Sequence, residues 1–224
     1  MSKLSAIIRS YVGVFVFACI IFIAGGKIRY WQAMLYLFVA LLGTTLNHLL
    51  LPSGSNLTSE RANKASEGVA WDRALLGTYF IISMISFVVA GLDSGRFGWT
   101  QTWPLAITFI GVLLLISGQV VFALAKRANL FFFSTVRIET TTSHAVCDTG
   151  LYTFVRHPGY VGMIISVIGF PLIMNSIWSC IPVMGLVCIL LMRTKLEDDF
   201  LKEHLRGYRE YARAVKWRVL PGIF

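Results

Sequence analysis

The strongest constraint in this 224-residue chain is a series of nearly uncharged apolar runs, each about 20 residues long. A bilayer core of about 30 Å is crossed by about 20 helical residues. Only helices or closed barrels satisfy the backbone where water is absent. Four runs meet the length, over residues 5–24, 31–51, 74–92 and 104–125. Charged residues are 14% of the chain, against about 25% in a soluble domain, and no polar tract is long enough for a separate soluble unit. The first run is too long, and lacks the small-residue cleavage site, for a removed signal peptide. These features predict an all-α integral membrane protein of one domain, with a four-span bundle over 1–125 and the remaining machinery over 126–224.

Residues 159–191 do not fit a single span. One helix over this range would be about 50 Å long, and Pro171, Asn175, Ser176 and Pro182 interrupt it near its middle. A C-terminal helical hairpin fits better. Charge placement tests the arrangement. With a hairpin, the N-terminus, the 52–73 loop, the 126–158 loop and the tail share one side, which then carries 17 of the 20 Lys and Arg residues. Lys27, Arg29 and Arg96 lie on the other side. Basic residues concentrate on the cytoplasmic face, so both termini and the 126–158 loop are expected there. A single span would leave the charges almost evenly divided.

The net charge of +9 follows from the same placement. Its basic groups hug span ends, a topology signal with attraction to anionic lipid, and nucleic-acid binding is not expected. Cys19, Cys180 and Cys188 sit in apolar runs and Cys147 stands alone in a loop, so no metal site or disulfide framework is indicated. Asn56-Leu57-Thr58 matches a glycosylation sequon, but on the expected cytoplasmic side. There is no internal repeat.

Chemistry is left to the cytoplasmic segments. The 126–158 loop is long for a connector and too apolar for disorder, with Phe131, Phe132 and Phe133 suited to a membrane-surface anchor or to acceptor binding. In Arg156-His157-Pro158-Gly159-Tyr160, proline disfavours helix at His157 and suits the first turn of a helix itself. That helix would aim its positive end and free N–H groups at the cytoplasmic face. Gly159 and Gly162 allow close approach of a ligand or a helix. An amphipathic tail helix is expected over 193–215, with Gly207 as a candidate break. Arg193–Glu197 and Asp198–Lys202 have i,i+4 pair spacing, so a solvated face accounts for Asp198, Asp199, Lys202 and Glu203. Glu197 follows the last apolar turn, where a carboxylate is placed to turn inwards. An extended, interfacial ending is expected over 216–224.

At these residues the chain resembles the isoprenylcysteine carboxyl methyltransferase family and its bacterial and archaeal relatives. The likeness runs in order through Leu57-Thr58-Ser59-Glu60-Arg61, Trp71-Asp72, Asn129, Phe133-Ser134, Val136-Arg137-Ile138, His144 and Gly150-Leu151-Tyr152. It continues through Val155 to Tyr160, Gly162, Leu196-Glu197-Asp198, Gly207-Tyr208-Arg209-Glu210-Tyr211 and Arg218-Val219-Leu220-Pro221-Gly222. Leu151 stands where proline is common in this pattern, and Asp198 where a second glutamate is common.

The resemblance implies S-adenosylmethionine as methyl donor, bound at the cytoplasmic ends of the last helices. It nominates His144, Gly150, Tyr152, His157, Pro158, Tyr160, Arg193, Glu197 and Tyr211 as donor-binding, and Arg156, His157 and Tyr160 as catalytic. Arg156 and the helix start are expected to hold a carboxylate, and Glu197 the donor's ammonium or ribose hydroxyls. His157 either orients the donor or, for an amine acceptor, shares with Tyr160 the candidacy for base. The implied acceptor is lipophilic and comes from the bilayer, foremost an isoprenylcysteine-type carboxylate, with the amine of an ethanolamine phospholipid or a small thiol as alternatives. Beyond membrane lipids no obligate protein partner is implied.

Two other classes compete. A sterol-type NADPH-dependent reductase shares the paired tyrosines before an Arg-x-x-Pro ending but lacks the upstream likeness. A non-enzymatic membrane protein is disfavoured, because the first four spans carry no mid-membrane charge or broken helix pair that marks a transport path.

Overall fold

The computed structural model describes residues 3–50, 68–129, 131–132, 135–137 and 144–222. The sequon, the 57–61 likeness and Phe133, Ser134 and Ile138 lie outside these residues. Seven α-helices and no strand occur among the described residues: α1 (Lys3–Gly25), α2 (Trp31–Leu49), α3 (Ala70–Ala90), α4 (Leu105–Ala128), α5 (Pro158–Met174), α6 (Cys180–His204) and α7 (Tyr208–Ala214). A π-helical turn, Gly91–Phe97, prolongs α3, and a 3₁₀ turn, Gly150–Thr153, precedes α5. Helices spanning Ile7–Gly25, Trp31–Leu49, Ala70–Phe97 and Leu105–Ala128 are long and apolar enough to cross a membrane. Their outer faces carry Phe15, Phe38, Phe80 and Phe109, each more than half exposed. That is the pattern of a surface solvated by lipid.

The 159–191 run is a hairpin that reaches the far end of the bundle. Asn175 ends α5 in the left-handed conformation (φ 53°), and its Oδ1 accepts from Trp103 N at 2.8 Å. Ser176 donates to the buried carboxylate of Asp93 at 2.6 Å, which also accepts from Thr100 N and Oγ1. The tip is thus tied to the turn between α3 and α4. From there α6 returns the chain to the opposite end, beside the 144–157 segment.

Helix contact relies on small residues, because lipid provides no hydrophobic drive to bring helices together. Gly111 and Gly118 of α4 face Gly169 and Gly162 of α5. A Cβ on Gly118 would lie 2.5 Å from Gly162 O, and one on Gly162 would lie 2.5 Å from Gly118 O. Gly162 therefore serves helix approach, one of its two expected roles. Nearer the far end, Phe87 and Phe170 meet edge to face at 4.7 Å, with Phe17 and Tyr36 around them.

Three expectations need correction. The helix expected over 193–215 is two pieces: α6 continues from the hairpin to His204, and α7 resumes at Tyr208 after Gly207 turns the chain with φ 84°. α3 begins at Ala70, ahead of the expected 74, because Trp71, Asp72 and Arg73 are helical. The ending is only partly interfacial, since Val219 is buried against Tyr160 and Leu190.

Candidate functional site

The Arg156-His157-Pro158 turn is held by the tail. His157 is non-helical (φ −129°) and Pro158 opens α5, as the proline rule requires. Arg156 N donates to Trp217 O, and His157 N to Arg218 O, both at 2.9 Å. The chain end therefore lies as a strap along the turn and satisfies backbone donors that the helix cannot.

Beneath the strap sits Asp198, which is fully buried. Arg156 grips it with two donors, Nε at 2.7 Å from Oδ1 and Nη2 at 3.0 Å from Oδ2. Lys202 Nζ and Arg218 Nε reach Oδ2 at 2.6 and 2.9 Å. Tyr208 donates to Oδ1 at 2.9 Å, and His157 Nε2 lies 3.3 Å from that oxygen and 3.2 Å from the Tyr208 hydroxyl. Burial alone would raise the Asp198 pKa, but hydrogen bonds from His157, Arg156 and Lys202 hold it far below the usual carboxylate range. Burial and the Asp198 charge push the Tyr208 phenol up. The Asp198–Lys202 pair expected on a solvated face exists, yet its acid is interior. The reason is that Asp198 faces the strap and the 156–157 turn rather than water.

The remaining Arg156 donor, Nη1, is taken by Val215 O and Lys216 O at 2.7 and 2.8 Å. Four of its five N–H groups are thus held by the protein itself, whereas the sequence pointed to a carboxylate ligand. Arg193 likewise does not bridge to Glu197. It pairs with the fully buried Asp72 of α3, Nε to Oδ1 at 2.6 Å and Nη2 to Oδ2 at 3.2 Å. Its guanidinium carbon sits 5.6 Å from the centre of the Tyr160 ring. Asp72 Oδ2 also accepts from Val136 N at 2.8 Å, fastening this part of the 126–158 loop to α3.

Glu197 is half-buried and accepts from the Tyr160 hydroxyl at 2.5 Å. It faces a cavity of about 290 Å³. His144, Tyr152, Arg156, His157, Tyr160, Arg193, Glu197 and Tyr211, eight of the nominated residues, line this one space. Gly150 and Pro158 do not. Gly150 instead takes φ 60° to start the 3₁₀ turn that presents Tyr152, and Pro158 is buried behind the turn. Tyr211 donates to Tyr152 O at 2.7 Å, and His144 stacks on Phe131 at 4.3 Å. Leu76 of α3, Phe122 of α4 and Met163 of the hairpin helix α5 form an apolar wall.

Asp72, Asp198, Tyr208 and Arg218 were not among the nominated residues. Asp72 and Asp198 are acids at the ends of apolar helices, a signal in its own right, but each owes its role to partners far along the chain. The donor set suits S-adenosylmethionine. A carboxylate with spare acceptor capacity stands among the rings of Phe131, Phe132, Tyr152, Tyr160 and Tyr211, whose faces attract a cation or stack on a base.

Residues 106–203 match the model of the Isoprenylcysteine carboxyl methyltransferase (ICMT) family. A probable protein-S-isoprenylcysteine O-methyltransferase of Oryza sativa subsp. indica is 29% identical over 117 residues, 49% of this chain and 59% of that protein. The protein-S-isoprenylcysteine O-methyltransferase of Dictyostelium discoideum is 27% identical over 152 residues, 62% of this chain and 59% of that one. The cobalt-zinc-cadmium resistance protein CzcN of Cupriavidus metallidurans is 27% identical over 143 residues, 63% and 61% of the two chains. The chain thus spans about three fifths of the length of these relatives. Among solved structures, the eukaryotic intramembrane Ras methyltransferase ICMT superposes with a TM-score of 0.52 at 17% identity, over 100% of this chain and 99% of that one. That likeness shows a shared fold.

Proposed function

We propose that this chain, which belongs to the isoprenylcysteine carboxyl methyltransferase family, carries a methyl group from S-adenosylmethionine to the carboxylate of an isoprenylcysteine-type acceptor delivered by the bilayer. The observation that carries this reading is Glu197, braced by Tyr160 in a ring-lined cavity whose inner wall comes from the apolar helices α3, α4 and α5. The donor, when bound, supplies an electrophilic methyl on a sulfonium. Glu197 accepts hydrogen bonds from its ammonium or ribose hydroxyls, and the surrounding rings favour its cationic and aromatic parts. Leu76, Phe122 and Met163 favour an apolar chain on the acceptor.

Positioning carries the catalysis here, together with exclusion of water. His157 Nε2 is engaged by Asp198 and Tyr208, and the Tyr160 hydroxyl donates to Glu197. We therefore assign His157 and Arg156 to holding the turn rather than to moving a substrate proton. A carboxylate acceptor, ionised at neutral pH, needs no base, whereas an amine would. The positive-inside bias supports a cytoplasmic position for the site and both termini.

The test is transfer from methyl-labelled S-adenosylmethionine by the purified protein in bilayers offered S-farnesylcysteine, an ethanolamine phospholipid and a small thiol together. Label is expected in a base-labile methyl ester. Label in the phospholipid amine or in a thioether would overturn the carboxylate acceptor, and label in none of them would overturn the activity.

A further inference from the structure

Asp72 belongs to the Trp71-Asp72 likeness but lies outside residues 106–203 and outside the nominated site positions, yet it is wholly buried beside the site. Its partner decides what it does. Arg193 and Glu197 are one helical turn apart on α6, the spacing at which a cation and a carboxylate ordinarily pair. Here the Arg193 guanidinium is turned to α3, where Asp72 takes it with two contacts at 2.6 and 3.2 Å. Tyr160 stands between the two systems, with its ring 5.6 Å from the Arg193 guanidinium and its hydroxyl on Glu197. A second Asp72 contact, to Val136 N, pins the segment that bears Arg137 on the cavity wall.

We propose that Asp72 is a positioning residue that draws Arg193 away from Glu197 and so keeps that carboxylate open to a cationic ligand. This rests on the reading of Glu197 as partner of the donor's positive end. In water-poor surroundings a neighbouring guanidinium and the ligand's cation compete directly for one carboxylate. Neutralising Asp72 frees Arg193 to swing one turn along α6 and occupy Glu197. Removing the Arg193 charge as well should then relieve the block at Glu197 and recover part of the lost affinity, since a buried ion pair replaced on both sides is often neutral for stability.

The experiment is calorimetric binding of S-adenosylmethionine to wild type, Asp72→Asn and Asp72→Asn/Arg193→Met. The single variant is expected to bind at least about tenfold more weakly, and the double variant at least about threefold more tightly than the single. Wild-type affinity in Asp72→Asn, or a double variant as weak as the single, would overturn the proposal, because a purely structural acid is not rescued by losing its partner. Should Asp72→Asn fail to accumulate, the double variant decides alone: saturable donor binding supports the proposal and its absence overturns it. Thermal unfolding provides an arm independent of the donor. Glu197→Gln is expected to lower the midpoint by about 3 °C more in the Asp72→Asn background than in wild type, as the new Arg193–Glu197 pair is broken. Equal shifts in both backgrounds would overturn it. If wild type binds no donor, the proposed function falls and this second arm alone judges Asp72.

Discussion

Asp198 shows how much one side chain can organise. Two guanidinium groups, an ammonium, a phenol and an imidazole converge on a carboxylate with no exposed surface. Removing its charge strands the buried Arg156 guanidinium without its carboxylate, whereas Lys202 and Arg218 are partly exposed and keep Asp199 nearby. Asp198→Asn is expected to cost about 3–5 kcal/mol, the range for stripping one partner from a buried ion pair, read as a lower unfolding midpoint in detergent at pH 7. The pH dependence has a definite sign. A pKa held below its ordinary 3.8 contributes stability that is complete above that value and is lost as the medium becomes more acidic. The gap between wild type and Asp198→Asn should therefore be widest near neutrality and narrow as pH falls below 3.8. A gap independent of pH would show that the lost shape of the carboxylate, rather than its charge, matters.

At the scale of elements, the α4–α5 seam sets where the motif turn sits. Gly118 and Gly162 bring two backbones within reach of each other, and neither carbonyl can move aside as a flexible side chain would. Gly118→Val is expected to destabilise by about 1–3 kcal/mol through overpacking. It should also weaken donor binding, because α5 would carry Tyr160 outward from Glu197. A midpoint and affinity equal to wild type would refute the seam. This level was partly legible in sequence. Proline at 158 and glycine at 162 act locally, so their effects could be read from neighbours. The break between α6 and α7 was also signalled, by Gly207. The continuity of α6 through Arg193 was not, because apolar periodicity fades at the polar turn although the helix persists.

For the whole molecule, the hairpin was legible because membrane topology leaves a charge signature that needs no contact map. Most of the site was legible too: Glu197, Tyr160, Tyr152 and His144 meet in one cavity. What escaped was pairing at a distance. Arg193 finds Asp72 across 121 positions and Arg156 finds Asp198 across 42. In sequence, Arg193 looked like the partner of Glu197, and Arg156 like a substrate clamp. Local spacing suggests such pairs, but only packing of α3, α6 and the tail strap chooses among them. The outcome is a division of labour, in which Asp72 and Asp198 absorb the protein's own cations while Glu197 faces the cavity. The most direct measurement of that claim is a calorimetric titration of S-adenosylmethionine into wild type and Glu197→Gln at equal, verified folding. The account predicts saturable wild-type binding that weakens at least about tenfold in the variant; equal affinity in the two proteins would contradict it.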